Sequence, residues 1–376
     1  MKNISSFFDL AIKSINALSP YQPGKPIDEL ERELGLIDIV KLASNENPQG
    51  PSERVQLAIK KAISDTALYP DGSGFHLKKA LSIKLKTTVE SITLGNGSND
   101  VLDLIARAFL GPGREAVYSE YAFVVYSIAT QSVSATARVA KALDKNSAQP
   151  YGHDLSAMRQ LVNDQTRVVF IANPNNPTGT WIDPTELKAF IASVPKDVII
   201  VVDEAYCEYL DVDHYQNTID WLELYPNLIL TRTFSKAYGL AGLRIGYSLS
   251  HPDIADLLNR VRQPFNVNSL GLVAAEAALA DDAYIARSRV LNNEGLKQLE
   301  AGFDELGLSY IPSVGNFISV DVGSQALEIY DHLLKEGVIV RPIAAYKMPD
   351  HLRVSVGLKL ENEKFLIALK KVLLNV

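Results

Sequence analysis

A lysine flanked by hydroxyl and glycine residues is the part of the sequence best suited to chemistry. Lys236 lies within residues 231–247, together with Thr233, Ser235, three glycines and Arg244. Glycines allow the backbone to approach a ligand closely, and hydroxyl and guanidinium groups bind phosphate. A lysine at a partly dehydrated site can lose its proton and become a nucleophile. The segment therefore predicts a phosphate-binding loop that presents an amine; the alternative is a strand, a loop and an exposed lysine.

Three apolar segments that end in polar residues are predicted to be strands of one sheet. The first is followed by Asn176, the second by Asp203 and Tyr206, and the third leads into the lysine segment. They are residues 168–172, 198–202 and 228–230. Ligands bind at the carboxyl ends of the strands in open α/β sheets. A single acidic residue in such a place is more often a cap than a catalyst, but the convergence of three strand ends indicates a site.

The elements that must position these residues follow from the alternation of short apolar and helical segments after Ile92. This alternation is typical of an α/β domain with a mostly parallel sheet covered by helices. Glycines at 95 and 97 precede a helix whose first amides, at Ser98 and Asn99, could hold a phosphate, although a plain capped helix is equally consistent. Aromatic residues at 121–126 could stack on a planar ring or belong to the core.

The length of 376 residues predicts a large domain and a smaller one, because one compact core rarely grows so large. Residues 1–40 combine a short amphipathic helix with three closely spaced prolines, and we expect an N-terminal arm that lies across another surface. Residues 41–252 are predicted to form the large domain. Residues 253–376, which are helical at first and then mixed, are predicted to form a small α+β domain.

Composition narrows the class of partner. The net charge of −7, without a basic run, argues against nucleic acid and anionic membranes, and no stretch is apolar enough to span a bilayer. The single cysteine, Cys207, rules out an intrachain disulfide framework and is expected to be a packing residue in a reducing compartment. The six histidines lack metal-ligand spacing, so no metal is expected. The start of the chain lacks a signal peptide's apolar core. We therefore expect a cytoplasmic protein that acts on small molecules.

The order and spacing of these motifs resemble a known family. The lysine segment, the Asn-Pro-Thr-Gly run at 176–179, and Asp203 with Tyr206 are similar to the aspartate-aminotransferase-like, fold type I pyridoxal-phosphate enzymes. Residues 44–48, 69–71 and 352–357 resemble one branch of it, the histidinol-phosphate aminotransferases. The resemblance spans the chain and implies a fold type I transferase with a large cofactor-binding domain and a small C-terminal domain.

The resemblance also implies residue roles around the cofactor ring. Lys236 would be the Schiff-base lysine and the base that moves a proton, and Asp203 would pair with the pyridine nitrogen. Asn176 and Tyr206 would bond the ring hydroxyl. Phe123 falls at the ring-stacking position, where many members have tyrosine, so that stacking is kept and a hydroxyl is lost.

The remaining implied residues bind the cofactor phosphate and the substrate. The phosphate would be held by hydroxyls, a guanidinium and helix amides, at Thr233, Ser235, Arg244, Ser98 and Asn99. Tyr69 would reach the phosphate from a second subunit, so a homodimer is expected. Arg353, Arg341, Asn45 and Asn176 would bind substrate, together with Tyr21 from the partner's arm.

Four functions are compatible with these features. The resemblance favours a pyridoxal-phosphate-dependent aminotransferase of histidine biosynthesis that exchanges an amino group between histidinol phosphate and 2-oxoglutarate. An aromatic-amino-acid aminotransferase is the alternative, because such related enzymes differ at positions like Phe123 and residues 119–121, where this chain lacks the proline of the commoner family version. A phospho-amino-acid decarboxylase would use the same fold for a different reaction. A ligand-sensing module of a regulator is disfavoured, because no basic helix-turn-helix segment is present.

Overall fold

The computed structural model describes residues 6–20, 24–210 and 216–375. Within these ranges no helix has the length and apolar character needed to cross a membrane. The α-helices, in chain order, are α1 Lys13–Asn16, α2 Ile27–Leu34, α3 Glu53–Ala62, α4 Phe75–Leu85, α5 Ser98–Phe109, α6 Val124–Ser132, α7 Leu155–Leu161, α8 Pro184–Ser193, α9 Pro252–Val261, α10 Ser269–Leu279, α11 Asp282–Leu306, α12 Ala326–Lys335 and α13 Lys359–Leu373. The strands are β1 Val40–Lys41, β2 Ile92–Gly95, β3 Glu115–Ser119, β4 Thr136–Ala140, β5 Thr166–Ala172, β6 Ile199–Asp203, β7 Leu228–Thr233, β8 Gly246–Ser250, β9 Tyr310–Ile311, β10 Phe317–Asp321, β11 Val338–Ile339, β12 Arg341–Pro342 and β13 His351–Ser355.

A seven-stranded sheet forms the centre of the larger part, in the order β2-β8-β7-β6-β5-β3-β4. The neighbours from β7 through β6, β5 and β3 to β4 are parallel, whereas β8 runs antiparallel to both β2 and β7. The predicted mostly parallel sheet is confirmed. The central strands β5 and β6 are buried on both faces, and their sequences are accordingly mostly apolar.

The alternation of side chains along β6 shows how the sheet is buried. Ile200 and Val202 pack in one apolar cluster with residues of α8 and α10, whereas Val201 packs in a second cluster with residues of α5, α6 and α9. Each such fully buried side chain contributes about 1.5–3 kcal/mol to folding. In register, Ala172 of β5 lies beside Asp203 of β6, which lies beside Thr231 of β7. The polar residues that follow these strands are thereby delivered to one edge of the sheet.

A second, antiparallel sheet has the order β12-β13-β10-β9. Its core contains Leu299 and Phe303 of α11 and Phe365 of α13, together with residues of α12. Arg341 and Arg353 are cross-strand neighbours between β12 and β13. The short strand β1 pairs in parallel with β11 as a separate two-stranded sheet, and Val40 of β1 packs in the core of the antiparallel sheet.

The packing of the helices after β8 bears on the division of the chain. Ile254 and Leu258 of α9, and Ala274 and Ala275 of α10, belong to the apolar clusters of the large sheet. By packing, α9 and α10 therefore belong with the large sheet. The predicted division into residues 1–40, 41–252 and 253–376 stays a prediction, and the start of α11 is the better candidate for its second boundary.

The close approach of α11 to the end of β13 leads to a stability prediction. A Cβ added to the buried Gly295 of α11 would lie 2.3 Å from Cγ1 of Val356. Glycine to alanine in a helix usually stabilises by about 1 kcal/mol. Here the steric overlap between the new Cβ and Val356 should outweigh the gain in helix propensity. We therefore expect Gly295→Ala to lower the free energy of unfolding by about 1–3 kcal/mol, measured by urea unfolding.

The matched control for that substitution is Gly111→Ala, because an added Cβ at Gly111 meets no atom within 4 Å. We expect its unfolding curve to match that of the native protein. A Gly295→Ala protein as stable as the native one would show that α11 and β13 are not tightly packed at this point.

Candidate active site

A cavity of about 180 Å³ lies at the carboxyl ends of β5, β6 and β7, where the small sheet faces the large one. Most residues that the sequence singled out line this cavity. They are Asn45, Ser98, Asn99, Phe123, Asn176, Asp203, Tyr206, Thr233, Ser235, Lys236, Arg244, Arg341 and Arg353. Residues far apart in the sequence are therefore brought into one cavity by the two sheets, while their individual roles stay predictions.

The Lys236 amine occupies an environment that favours its neutral form. Its Nζ donates a hydrogen bond to the carbonyl oxygen of Ser44 at 3.0 Å. Burial, together with the positive charge of Arg353, lowers the pKa of Lys236 from 10.5 to about 7. An amine with this pKa is neutral in a large fraction of molecules near neutral pH, and it can act as a nucleophile or a base.

The loop that carries Lys236 is held by residues that the sequence analysis did not assign to the site. Asn47 is buried, and its Nδ2 lies 2.9 Å from both the carbonyl oxygen of Ala237 and Oγ of Ser288 in α11. Gly239 has φ of +70°, and a Cβ there would lie 2.5 Å from the carbonyl oxygen of Gly50. The loop therefore tolerates only glycine at this position. Sequence position gave no sign of the contact between Asn47 and Ala237, which are 190 residues apart.

The Asp203 carboxylate lies at the end of β6 and is only 4% exposed. Its Oδ1 accepts a hydrogen bond from Oγ1 of Thr231 at 2.8 Å, and its Oδ2 accepts one from the hydroxyl of Tyr126 at 3.0 Å. Burial raises the pKa of Asp203 to about 6, against the opposing effect of these two donors. Sequence analysis placed residues 121–126 as candidates for stacking or the core and did not connect Tyr126 with Asp203.

A hydrogen-bonded group joins the two sheets across the cavity. Nη1 of Arg353 donates to Oδ1 of Asn176 at 2.6 Å, and its Nη2 donates to the carbonyl oxygen of Ala43 at 2.8 Å. Nδ2 of Asn45 donates to the hydroxyl of Tyr206 at 2.9 Å. Burial raises the pKa of Tyr206 to about 12, so this phenol remains protonated at neutral pH. Nε of Arg353 is buried without a hydrogen-bond partner among the described residues, which is expected of a group that binds a ligand.

The first turn of α5 and the loop after β7 form a cradle suited to an anion. The N-cap of α5 is Gly97, which provides no side-chain cap, so the first amides of the helix are available to a ligand. A Cβ on Gly97 would lie 2.4 Å from Nη2 of Arg244. Nη1 of Arg244 donates to Oγ of Ser235 at 3.3 Å, and the amide of Ser235 donates to Oγ1 of Thr233 at 3.1 Å. Helix amides, hydroxyls and a guanidinium are the donor set that binds phosphate.

Two predicted residues are not part of the cavity as described. Tyr69 is 83% exposed, and its ring stacks on Phe265 at a centroid distance of 4.8 Å. It does not line the cavity of its own chain. Tyr21 lies outside the described residues.

Comparison with known proteins places this geometry in a family. A family model described as aminotransferase class I and II matches residues 37–370. Histidinol-phosphate aminotransferase 2 of Pseudomonas fluorescens (strain Pf0-1) is 57% identical over 370 residues, which cover 98% of each chain. The protein of the same name from Pseudomonas aeruginosa is 56% identical over 372 residues, which cover 98% of this chain and 99% of that one.

Solved structures show the same similarity in three dimensions. The crystal structure of histidinol-phosphate aminotransferase from Sinorhizobium meliloti in complex with pyridoxal-5'-phosphate matches with a TM-score of 0.88 and 30% identity, covering 100% of this chain and 98% of that one. A mutant of Thermus thermophilus aspartate aminotransferase, at 21% identity and a TM-score of 0.83, shares the fold. The predicted fold type I architecture is confirmed. With a family model that covers residues 37–370 and relatives this similar over nearly its whole length, the chain belongs to the aminotransferase class I and II family.

Proposed function

We propose that this protein is a pyridoxal-phosphate-dependent aminotransferase that exchanges an amino group between histidinol phosphate and 2-oxoglutarate. The observation that carries the proposal is a cavity in which a lysine with a pKa of about 7, a buried carboxylate and two arginines meet beside an anion cradle. The names of relatives that are 57% and 56% identical support this choice of substrate.

The cavity fits pyridoxal phosphate in its donor set. The cradle of Ser98, Asn99, Thr233, Ser235 and Arg244 would hold the phosphate. When bound, the cofactor supplies an aldehyde that reacts with amines and a ring that withdraws electrons from the bound substrate. Asp203, as a carboxylate, would favour the protonated ring nitrogen, and Phe123 would contact the ring face. Asn176 and the hydroxyl of Tyr206 would bond the ring hydroxyl.

The residues of the chain provide the proton transfer as well. Once Lys236 is free and neutral, its amine would take a proton from the amino-bearing carbon of the substrate and deliver it to the carbon that the cofactor aldehyde supplies. The positive charge of Arg353 and the low hydration of the cavity favour the neutral amine, because a second positive charge is costly there. The carbonyl oxygen of Ser44 accepts a hydrogen bond from Nζ and fixes the amine's position.

The two arginines of the small sheet would bind the acidic ends of both substrates. Arg353 is buried, with one nitrogen lacking a partner among the described residues, and Arg341 lines the same cavity from the neighbouring strand. Glutamate presents a carboxylate where histidinol phosphate presents a phosphate. A phosphate carries close to two negative charges and can bond both arginines, whereas one guanidinium largely satisfies a carboxylate. Asn45 would contribute to the same binding site, and Tyr21 of a partner's arm is proposed as a further donor.

We also propose a homodimer in which Tyr69 reaches the cofactor phosphate of the partner. Tyr69 lies along one surface groove with Leu68 and Phe265, all three side chains are exposed, and exposed apolar surfaces are typical of protein interfaces. Light scattering tests this point, because a particle of 41.2 kDa would contradict the dimer.

A cytoplasmic location in histidine biosynthesis is proposed as well, supported by the single, buried Cys207, and cell fractionation tests it.

The experiment that tests the substrate compares amino donors. We expect histidinol phosphate to transfer its amino group to 2-oxoglutarate at least tenfold more efficiently than phenylalanine or tyrosine, because the aromatic amino acids lack the phosphate for the second arginine. Coupled assays of kcat/KM measure this. An inactive histidinol phosphate with active phenylalanine would assign the protein to aromatic-amino-acid aminotransferases, and release of carbon dioxide without consumption of the keto acid would indicate a decarboxylase.

The lowered pKa of Lys236 predicts how the apoenzyme reacts with pyridoxal phosphate. The amine is charged below pH 7 and neutral above it, so the initial rate of cofactor attachment should rise as the pH increases through about 7. Borohydride reduction should then fix the cofactor to Lys236, as shown by peptide mapping. Lys236→Arg should take up no covalent label, whereas Lys347→Arg, at an exposed lysine, should label normally. A label on another lysine would remove the basis of the proposed mechanism.

The arginine pair predicts a difference between substrates. Arg353→Ala should weaken both glutamate and histidinol phosphate, whereas Arg341→Ala should weaken histidinol phosphate more. Each lost charge-assisted contact costs on the order of 1.5–3 kcal/mol, or roughly 10- to 150-fold in affinity. Half-reaction titrations measure both values, with Arg107→Ala as the control because Arg107 pairs with Asp103 on the surface of α5. Equal losses for the two substrates in Arg341→Ala would exclude a phosphate-specific second arginine.

A further inference from the structure

The carboxylate of Asp203 is held from two sides by residues of different elements. Tyr126 comes from α6 and reaches Oδ2, whereas Thr231 comes from the neighbouring strand β7 and reaches Oδ1. Both donors are fully buried. The ring of Tyr126 is stacked on Phe170 of β5, with centroids 4.9 Å apart and planes 6° from parallel. The two hydroxyls are thus fixed by the packing of the large sheet.

We propose that Tyr126 and Thr231 are positioning residues that hold the Asp203 carboxylate in one orientation and in its ionised form. The inference rests on the proposed function, in which that carboxylate faces the cofactor ring nitrogen. It adds two residues that do not line the cavity and that act only through Asp203. The remaining lone pairs of the two carboxylate oxygens stay available to a donor in the cavity.

The charge of Asp203 needs this support because its surroundings oppose it. Burial favours the neutral carboxylic acid, and the adjacent Glu204 acts in the same direction. Glu204 is itself paired with Arg232 at 2.8 Å and so has its own partner. The other titratable groups in or beside the cavity are the phenols of Tyr126, Tyr206 and Tyr346, the amine of Lys236 and the guanidinium of Arg353. Only the two hydroxyl donors bond directly to the carboxylate among the described residues, and hydrogen bonds to the charged form favour it.

The phenol of Tyr126 is suited to this task over the whole physiological pH range. Burial and the neighbouring carboxylate raise the pKa of Tyr126 well above its ordinary value, so the hydroxyl keeps its proton. It can therefore only donate to the carboxylate. If Tyr126 only packed in the core, its ring would be sufficient, and removal of its hydroxyl would leave the pKa of Asp203 unchanged.

Infrared titration of the apoenzyme separates these two roles without substrate or cofactor. The difference spectrum between the native protein and Asp203→Asn isolates the Asp203 carboxyl from other acids, including Glu208, whose pKa burial raises to about 7. The native midpoint is expected near pH 6. In a Tyr126→Phe background the midpoint should rise by about one pH unit, since the carboxylate loses a charge-assisted hydrogen bond.

Matched variants keep the test decisive. Tyr118→Phe removes a hydroxyl from a buried tyrosine whose ring centroid lies 6.4 Å from that of Tyr126, and it should leave the midpoint unchanged. Thr231→Val should raise the midpoint as Tyr126→Phe does, whereas Thr231→Ser, which keeps a hydroxyl, should restore the native value. If Tyr126→Phe does not fold, the comparison of Thr231→Val with Thr231→Ser tests the proposal by itself.

The holoenzyme provides the second readout. We expect Tyr126→Phe and Thr231→Val to lower kcat about tenfold with little change in KM, and to lose activity at a higher pH on acidification, because a carboxyl with a raised pKa becomes neutral earlier. An unchanged Asp203 midpoint in both Tyr126→Phe and Thr231→Val would overturn the proposal. A shifted midpoint in a protein that does not act on histidinol phosphate would leave the positioning role intact and refute the substrate instead.

Discussion

The register of the parallel strands β5, β6 and β7 is the constraint on which the site depends. Ala172, Asp203 and Thr231 are neighbours across these strands, so the chain leaves all three strands at one edge of the sheet. A slip of one residue would turn Asp203 to the opposite face of the sheet and bury Val202 on the wrong side. The apolar clusters on both faces prevent such a slip, because Val201 and Val202 each have a separate set of partners.

The chemistry of the cavity depends on the burial of its ionisable groups. The same low hydration lowers the pKa of Lys236 and raises that of Asp203, which brings an amine and a carboxyl close to neutral pH. Hydrogen bonds then favour the ionised form of Asp203. Arg353 disfavours the charged form of Lys236 and leaves a buried nitrogen for a ligand. Burial thus shifts the pKa values of the amine and the carboxyl in opposite directions, and both shifts bring the group closer to neutral pH.

The small sheet completes the site by reaching across to the large one. Arg353 of β13 contacts Asn176 and the backbone of Ala43, and Ser355 of the same strand bonds Asn45. Asn45 has φ of +55°, a left-handed conformation that asparagine tolerates better than most residues. The polar segment around Asn45 and Asn47 therefore links the lysine loop, the small sheet and the long helix α11. Any movement of the small sheet would change the position of both arginines relative to Lys236.

The sequence by itself determined the parallel α/β sheet, the strand ends that carry Asn176 and Asp203, and the lysine loop, because each rests on a local pattern of apolar, glycine and hydroxyl residues. Family resemblance added Arg353 and Asn45, which lack a local signal of their own. Only the tertiary structure decided which distant side chains hold these groups. Tyr126 meets Asp203 across 77 residues of chain, and Asn47 meets Ala237 across 190. It also decided that α9 and α10 pack on the large sheet. Such contacts depend on the relative placement of whole elements, which no local spacing encodes, and that placement is what sets the charge state of the site.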